Sequence, residues 1–368
     1  MTILCVGIAC LDIVHVCSSY PSEDSKTRST DHWWQRGGNA SNSCTVLCAL
    51  GARCEFLGTL GTGPNARFVQ GDLRACGIRA EHCPVHAGCD TPTSVVIISS
   101  SNGSRTVVHH NKDLLELELE DFTRLDLAPY SWVHFEGRNV AAVAGMMEHA
   151  ARWSASGALR ISVELEKVRR DPDTSVLLPL ADCVFVGRDF ARSSGWDSAL
   201  QALRAVAALT KPGATVVVAW GKEGAVGRGP DGAVVRSPAF PPARVVDTLG
   251  AGDTFNATTI CALRAGRSLQ DSIALGCRVA GAKVGAHGFA HLAQTFSALG
   301  TDHPWRPSGL PLQNDLAVGR VGRAAGQVAD LAGACYQTRR PPPRDNDQFP
   351  ALRVCVYRRL LSGSIVQD

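Results

Sequence analysis

The sequence lacks several features that would each have pointed to a different kind of protein. It contains no Walker A sequence and no Gly-x-Gly-x-x-Gly after its first strand-like segment, which excludes a P-loop kinase and a nicotinamide dehydrogenase alike. The apolar start, Met1–Cys17, has no basic leader region, contains Asp12 and is too short to span a bilayer. It reads as a buried strand. Lysine is scarce, at Lys26, Lys112, Lys167, Lys211, Lys222 and Lys283 alone. The net charge of +3 is too small to argue for nucleic acid or an anionic membrane surface. None of the 14 cysteines forms a Cys-x-x-Cys pair. Scattered thiols in apolar segments fit free cysteines in a reducing compartment, which places the chain in the cytoplasm. The group His82, Cys83, His86 and Cys89 lacks the spacing of a structural zinc site and reads as a polar loop.

What is present suits an α/β enzyme. The 368 residues include 45% hydrophobic residues and 36 glycines, enough for a sizeable core. Strand-like runs at Ile3–Ala9, Trp132–Phe135, Arg160–Leu165, Cys183–Val186, Thr215–Trp220 and Val234–Arg236 alternate with helical patterns at Ala40–Leu50, Val140–Ala155 and Asp189–Thr210, the last interrupted near Gly195. Such alternation predicts a doubly wound, mainly parallel sheet covered on both faces. Leu11–Gln35 and Thr93–His110 break the rhythm with β-type stretches and no helix between. They predict a small antiparallel lid sheet with a hairpin turn at Asn102-Gly103.

Two glycine motifs carry the chemistry. In the first, Val245-Val246-Asp247 reads as a strand end, and Gly250-Ala251-Gly252 opens a helix from about Asp253 to Ala265, closed by Gly266. Backbone N–H groups at such a helix start suit a phosphate or developing anion. A carboxylate there, Asp253, opposes the anion unless it accepts a proton, so the motif reads as phosphoryl transfer with Asp253 as base. The second motif is Gln35-Arg36-Gly37-Gly38-Asn39-Ala40-Ser41-Asn42. Asn39 is placed to cap a helix stopped by Gly51, and the amides of Asn39 and Asn42 share a face and match sugar hydroxyls. Capping and turn chemistry alone would also account for this motif. Asp12, ending the first strand, could bind a hydroxyl pair or be only a strand-end acid.

Together with Gly103-Ser104-Arg105-Thr106, Glu136-Gly137-Arg138-Asn139 and Val163-Glu164-Leu165-Glu166-Lys167, these phrases identify a resemblance. Over about residues 1–293 the chain resembles the ribokinase (PfkB) carbohydrate kinases, within them the branch that phosphorylates ketohexoses. The resemblance implies a ribokinase-like fold, ATP with Mg²⁺, a family habit of assistance by K⁺, and transfer to D-fructose giving fructose 1-phosphate. It also implies a homodimer joined through the lid sheets. By position, Asp12, Gly38, Asn39, Asn42 and Asp253 match sugar-binding residues. Arg105 and the turn Gly221-Lys222-Glu223-Gly224 match nucleotide contacts. Gly250, Ala251 and Gly252 match the anion hole that also holds ATP, Asp253 the catalytic base, and Asp247-Thr248 the start of a monovalent-cation loop.

The sequence departs from the family where an Asn-x-x-Glu motif is common. Val186-Gly187-Arg188-Asp189-Phe190-Ala191 lacks both defining residues, so the magnesium ligands stay unassigned. Glu164 and Glu166 are acidic candidates, or solvated strand-end charges. Arg138 and Asn139 read as a post-strand turn in preference to a sugar contact, and His109 and His110 as surface positions on a lid strand. The resemblance stops near residue 293. Residues 294–368 hold seven of the 19 prolines, nine arginines and no lysine. They read as a divergent, mostly disordered or loosely packed extension with one short helical pattern at Leu316–Cys335. The competing readings are an interaction segment, an inert appendage and translated foreign sequence. An extension that covered the nucleotide cleft would impair activity.

Overall fold

A computed structural model of the chain describes residues 1–298, apart from residues 112, 155, 156, 158 and 169–172. The expected extension beyond residue 298, with its helical pattern, lies outside the described residues. In chain order the strands are β1 (Thr2–Val6), β2 (Cys10–Cys17), β3 (Asp31–Gly37), β4 (Cys54–Leu57), β5 (Leu60–Gly61), β6 (Val85–His86), β7 (Thr93–Ser99), β8 (Arg105–His110), β9 (Tyr130–Glu136), β10 (Arg160–Leu165), β11 (Cys183–Gly187), β12 (Thr215–Ala219), β13 (Ala225–Arg228) and β14 (Val234–Ser237). The helices are α1 (Asn39–Ala49), α2 (Pro64–Ala75), α3 (Leu119–Thr123), α4 (Val140–Trp153), α5 (Arg188–Ser193), α6 (Ala199–Ala207), α7 (Ala251–Arg264), α8 (Leu269–Lys283) and α9 (Leu292–Ala298).

The main sheet has the order β14-β13-β12-β11-β10-β9-β1-β4. Its six strands from β12 to β4 are parallel, and β13 and β14 close the edge antiparallel. The parallel strands are mostly apolar because both faces are covered, with Glu55, His134, Ser162 and Glu164 among the buried polar exceptions. Alternate residues of β1 show the two layers: Leu4 and Val6 join a core with α3, α4 and α6, while Ile3 and Cys5 join one with α1, α2, α7 and α8. The expected doubly wound fold is therefore present. Some elements escaped the sequence pattern: β4, β13, α2 and α8 were not foreseen.

The lid sheet has the order β3-β2-β7-β8. Its outer pairings are antiparallel as expected, whereas the central pair, β2 with β7, is parallel. The reason is topological, since β2 and β7 both leave the main domain in the same direction. The hairpin at Asn102-Gly103 forms, with Gly103 at φ +70° and its N–H donating to Ser99.

Two local expectations are corrected. Val245–Asp247 is irregular chain, not a strand; Val246 and Asp247 both donate their N–H to the Val284 carbonyl, away from any sheet edge. Gly38, not Asn39, caps α1. Its φ of +98°, and a Cβ position 2.2 Å from the Ile8 carbonyl oxygen, admit only glycine, which moves the helix start one residue back.

Candidate active site

The C-terminal ends of the parallel strands face one edge of the domain, where ligands of open α/β sheets gather. β1 leads to Ile8, β9 to Arg138, β10 to Glu166, β11 to Arg188 and β12 to Gly221. Into this edge α1 and α7, packed against each other, bring their N-termini.

α7 starts at Ala251, two residues earlier than foreseen, with Gly250 as a left-handed cap at φ +74°. A side chain on Gly250 would meet the Phe289 ring at 2.5 Å. The N–H groups of Gly252 and Asp253 fall in the first turn, where no intrahelical acceptor exists. Asp253 is buried at 7% exposure, and its Oδ2 accepts from Asn42 Nδ2 at 2.8 Å. Burial raises its proton affinity well above the usual carboxylate range, and repulsion from Glu164 adds to this; the Asn42 hydrogen bond works the other way. The other atom of that amide, Asn42 Oδ1, is buried without a partner among the described residues. A buried orphan acceptor calls for a donor from outside the chain.

Glu164 is the hub of a network that sequence reasoning left undecided. It is buried, not solvated, and accepts from Asn39 Nδ2 and, at 2.6 Å, from Asn256 Nδ2; His134 Nε2 lies 3.7 Å away. Burial alone would raise its carboxyl, but the His134 contact and both amides hold it below its ordinary value. Asn39 also donates to the exposed Glu166 at 2.9 Å. Glu136 anchors the neighbouring strand end by accepting the Ile8 N–H at 3.0 Å. His134, Glu136 and Asn256 were missed as site residues. The legible signal was the polar residues alternating within Trp132-Val133-His134-Phe135-Glu136, since a polar group in a doubly covered strand must find a partner.

Asp12 is buried and packs against Gly37, where a Cβ would lie 2.2 Å from its carboxylate. Burial raises its pKa against opposing hydrogen bonds from Cys10, Ser94 and Gln35. The structure thus gathers Gly38, Asn39, Asn42 and Asp253 into one connected wall, with Asp12 beside it on the lid. Arg105 reaches across from β8 to Thr248 Oγ1 at 3.0 Å. The Gly221-Lys222-Glu223-Gly224 turn closes on itself: Trp220 donates to Gly224 and Gly224 to Gly221. Gly224, at φ +90°, has no room for a Cβ against Ser237. Arg188, not foreseen, sits beside Gly221.

Arg138 and Asn139 form the expected turn. Arg138 is held by Glu116 at 2.7 Å and Glu136 at 3.3 Å, and Asn139 is left-handed at φ 38° and donates to Leu117. His109 and His110 are exposed, His109 contacting Ser94. His82 pairs with Glu55, while the Cys83 and Cys89 thiols donate to the Phe56 and Asp113 carbonyls, so that group converges on no shared ligand point. Three other thiols, Cys5, Cys44 and Cys54, do meet inside the core.

A phosphate-borne magnesium ion needs one or two hard carboxylates, and Glu166, exposed at the end of β10 with Glu164 behind it, fits. Asp247 does not fit a potassium site centred on it, because its carboxylate and carbonyl both already face the Lys283 ammonium, at 2.7 and 3.1 Å.

Comparison with known proteins shows the family. The model of the pfkB family carbohydrate kinases matches residues 2–295. Mouse ketohexokinase is 46% identical over 291 residues, covering 78% of this chain and 97% of the mouse protein. The structure of ribokinase from Giardia lamblia superposes with a TM-score of 0.71 at 18% identity, covering 81% of this chain and 98% of that one. Arabidopsis thaliana ribokinase complexed with ribose and ATP gives 0.60 at 19% identity, covering 78% and 93%.

Proposed function

The chain belongs to the pfkB family of carbohydrate kinases and is an ATP-dependent sugar kinase, and from that premise we propose that its acceptor is a ketohexose, D-fructose, phosphorylated at the C1 hydroxyl. The observation that carries this reading is the Asn42–Asp253 contact at 2.8 Å on the first turn of α7. It places a buried carboxylate of raised proton affinity beside unpaired helix N–H groups, with the orphan Asn42 Oδ1 beside it.

In the proposed reaction the sugar lies against Asp12, Gly38, Asn39 and Asn42, with a hydroxyl donating to Asn42 Oδ1. Asp253 accepts the proton of the C1 hydroxyl as that oxygen attacks the γ-phosphorus in line and ADP leaves. The turn Gly250-Ala251-Gly252 and the Asp253 N–H stabilise the transferring phosphoryl group. The nucleotide lies along Gly221–Gly224, and Arg105 adds positive charge from the lid. Glu166 would help hold a magnesium ion, which would supply neutralisation of phosphate charge. Potassium has no part in this scheme.

The lid supports a homodimer. Cross-strand partners Trp34, Ile13, Val95 and Val108 form one apolar row across all four strands. Trp34, Val95 and Val108 are 49%, 40% and 61% exposed, an apolar stripe suited to a second copy. Among the described residues no helix is long and apolar enough to cross a membrane, and the free thiols fit the cytoplasm.

An ATP-consumption assay on a panel of sugars and nucleosides tests the reading. Selective turnover of fructose supports it. Selective turnover of ribose or adenosine would replace the substrate, and sugar binding without turnover would remove the catalytic assignment. The mouse relative's identity favours the ketohexose over those alternatives.

A further inference from the structure

The phosphoryl-facing turn has no strand ahead of it to set its direction. Val245–Thr248 is irregular chain, yet its peptide groups must point within a narrow cone for Gly250–Asp253 to face a phosphate. Beyond the Val246 and Asp247 N–H bonds to the Val284 carbonyl, what anchors a side chain of this segment in the interior is a buried ion pair. Lys283 Nζ, at the end of α8, lies 2.7 Å from Asp247 Oδ2 and 3.1 Å from the Asp247 carbonyl oxygen. The two side chains are 0% and 1% exposed. The same carboxylate accepts the Leu249 N–H at 2.8 Å and the Gly288 N–H at 3.1 Å. Phe289 lies under both parts of the latch, with its ring 5.4 Å from Nζ and against the α-carbon side of Gly250.

From this we infer that Lys283 is a positioning residue for the phosphoryl turn, acting through Asp247; the assignment deepens the kinase reading above and rests on it. Removing an ammonium and a carboxylate from water is costly, and a well-packed apolar pair would stabilise the same contact as well or better. The pair therefore serves something that apolar packing does not supply. Lys283 bonds the carbonyl and the carboxylate of one residue together, which fixes the backbone direction at Asp247. The carboxylate then fixes Leu249 two residues on. Neither bond touches Asn39, Asn42 or Asp12, so the sugar-facing wall is independent of this latch.

The test uses the full chain with Lys283→Met, Lys283→Arg and the neutral double variant Asp247→Asn/Lys283→Met. Displacements on the order of 1 Å at a reacting centre cost about 10²-fold, so kcat of Lys283→Met is expected to fall about 10- to 100-fold, with the fructose Kd unchanged by calorimetry. The double variant is expected to regain the wild-type Tm, having no uncompensated charge, while kcat stays low. Lys283→Arg is expected to recover part of the rate. Independently of any acceptor, ATP affinity is expected to weaken about 10-fold in Lys283→Met, with ADP affinity nearly unchanged, because the turn faces the γ-phosphate. A double variant with wild-type kcat and wild-type ATP affinity overturns the inference. So does a Lys283→Met protein in which sugar affinity, ATP and ADP affinity fall together with Tm, the signature of a purely structural pair. A wild-type chain that turns over no acceptor overturns the kinase reading instead, and the ATP-versus-ADP comparison still decides the role of Lys283.

Discussion

The two walls of the site are built by opposite means. The sugar-facing wall is a mesh of buried side chains from distant parts of the chain: Asn39 and Asn42 from α1, His134 from β9, Glu164 from β10, Asp253 and Asn256 from α7. The phosphate-facing wall is mostly backbone, two glycine turns at Gly221–Gly224 and Gly250–Gly252. The difference follows from the ligands. A sugar offers hydroxyls that both donate and accept, so its recognition needs oriented amides and carboxylates. A phosphate offers only acceptors, which peptide N–H groups meet without side chains. The first wall should therefore fail by loss of charge or amide, the second by addition of a Cβ.

Where the walls meet, Asp253→Asn is expected to give the largest effect, a loss of about 10²–10⁴-fold in kcat with sugar affinity kept. Wild-type kcat would remove Asp253 as the base. The same substitution should stabilise the fold. A carboxyl whose folded-state pKa is raised binds its proton more tightly folded than unfolded, so its contribution is fully favourable at acid pH and is lost as pH rises from the unfolded pKa through the raised one. The neutral amide, still able to accept from Asn42, avoids that loss. At neutral pH its Tm should exceed the wild-type value by roughly 2–4 °C for each 1 kcal/mol recovered; a lower Tm contradicts the burial argument.

Next in size, glycine substitutions separate the walls. Gly38→Ala forces a Cβ to within 2.2 Å of the Ile8 carbonyl at φ +98°, and is expected to raise the fructose KM at least about 10-fold through a displaced α1, at a cost of about 1–3 kcal/mol in stability. Gly250→Ala meets Phe289 and should lower kcat by about the same factor with the fructose Kd nearly intact. Equal effects of both substitutions on both parameters would dissolve the distinction between the walls.

That distinction also explains what could be read from sequence. The phosphate wall is legible because a glycine turn followed by a helix is local, so Gly250, Ala251, Gly252 and Asp253 could be found in one short phrase. The main sheet was legible for a similar reason: β11 and β12 are nearly unbroken apolar runs that need no partner to interpret. The mesh was not. Glu164 reads as a strand-end charge until Asn39, 125 residues earlier, and Asn256, 92 residues later, are brought to it by folding. Lys283 escaped for the opposite reason, since a lone lysine near a helix end looks like ordinary dipole complementation. α8 itself, moderately amphipathic and rich in small residues, gives little periodic signal against a neighbour as close as α7. Its Gly276 packs where a Cβ would lie 2.5 Å from Thr259.

Glu164→Gln sharpens the mesh side of the comparison. The amide keeps the shape but turns one acceptor into a donor facing Asn39 or Asn256, and a lost hydrogen bond to a charged group costs about 1.5–3 kcal/mol. The fructose KM is expected to rise roughly 10-fold or more. Because Glu164 is the leading charge that raises the Asp253 pKa, the acid limb of the kcat profile should also move to lower pH. Turnover needs Asp253 ionised, so activity is present above its pKa and lost as pH falls through it. An unmoved limb would mean that Glu164 does not tune the base.

The smallest effect is expected at the lid. Arg105 is exposed and its guanidinium donates to the neutral Thr248 hydroxyl, and an exposed charge facing a phosphate is screened, contributing about 0–1 kcal/mol. The lid does not depend on it for docking, because Leu249 also packs against Val14, Val16, Val96 and Ile98, the buried face of that sheet. Arg105→Ala should therefore raise the ATP KM only about 2- to 5-fold, with the fructose KM and Tm unchanged. Raising the ionic strength should shrink the difference between variant and wild type, since the guanidinium acts through charge over open water. A change in fructose KM larger than that in ATP KM would move Arg105 to the other wall.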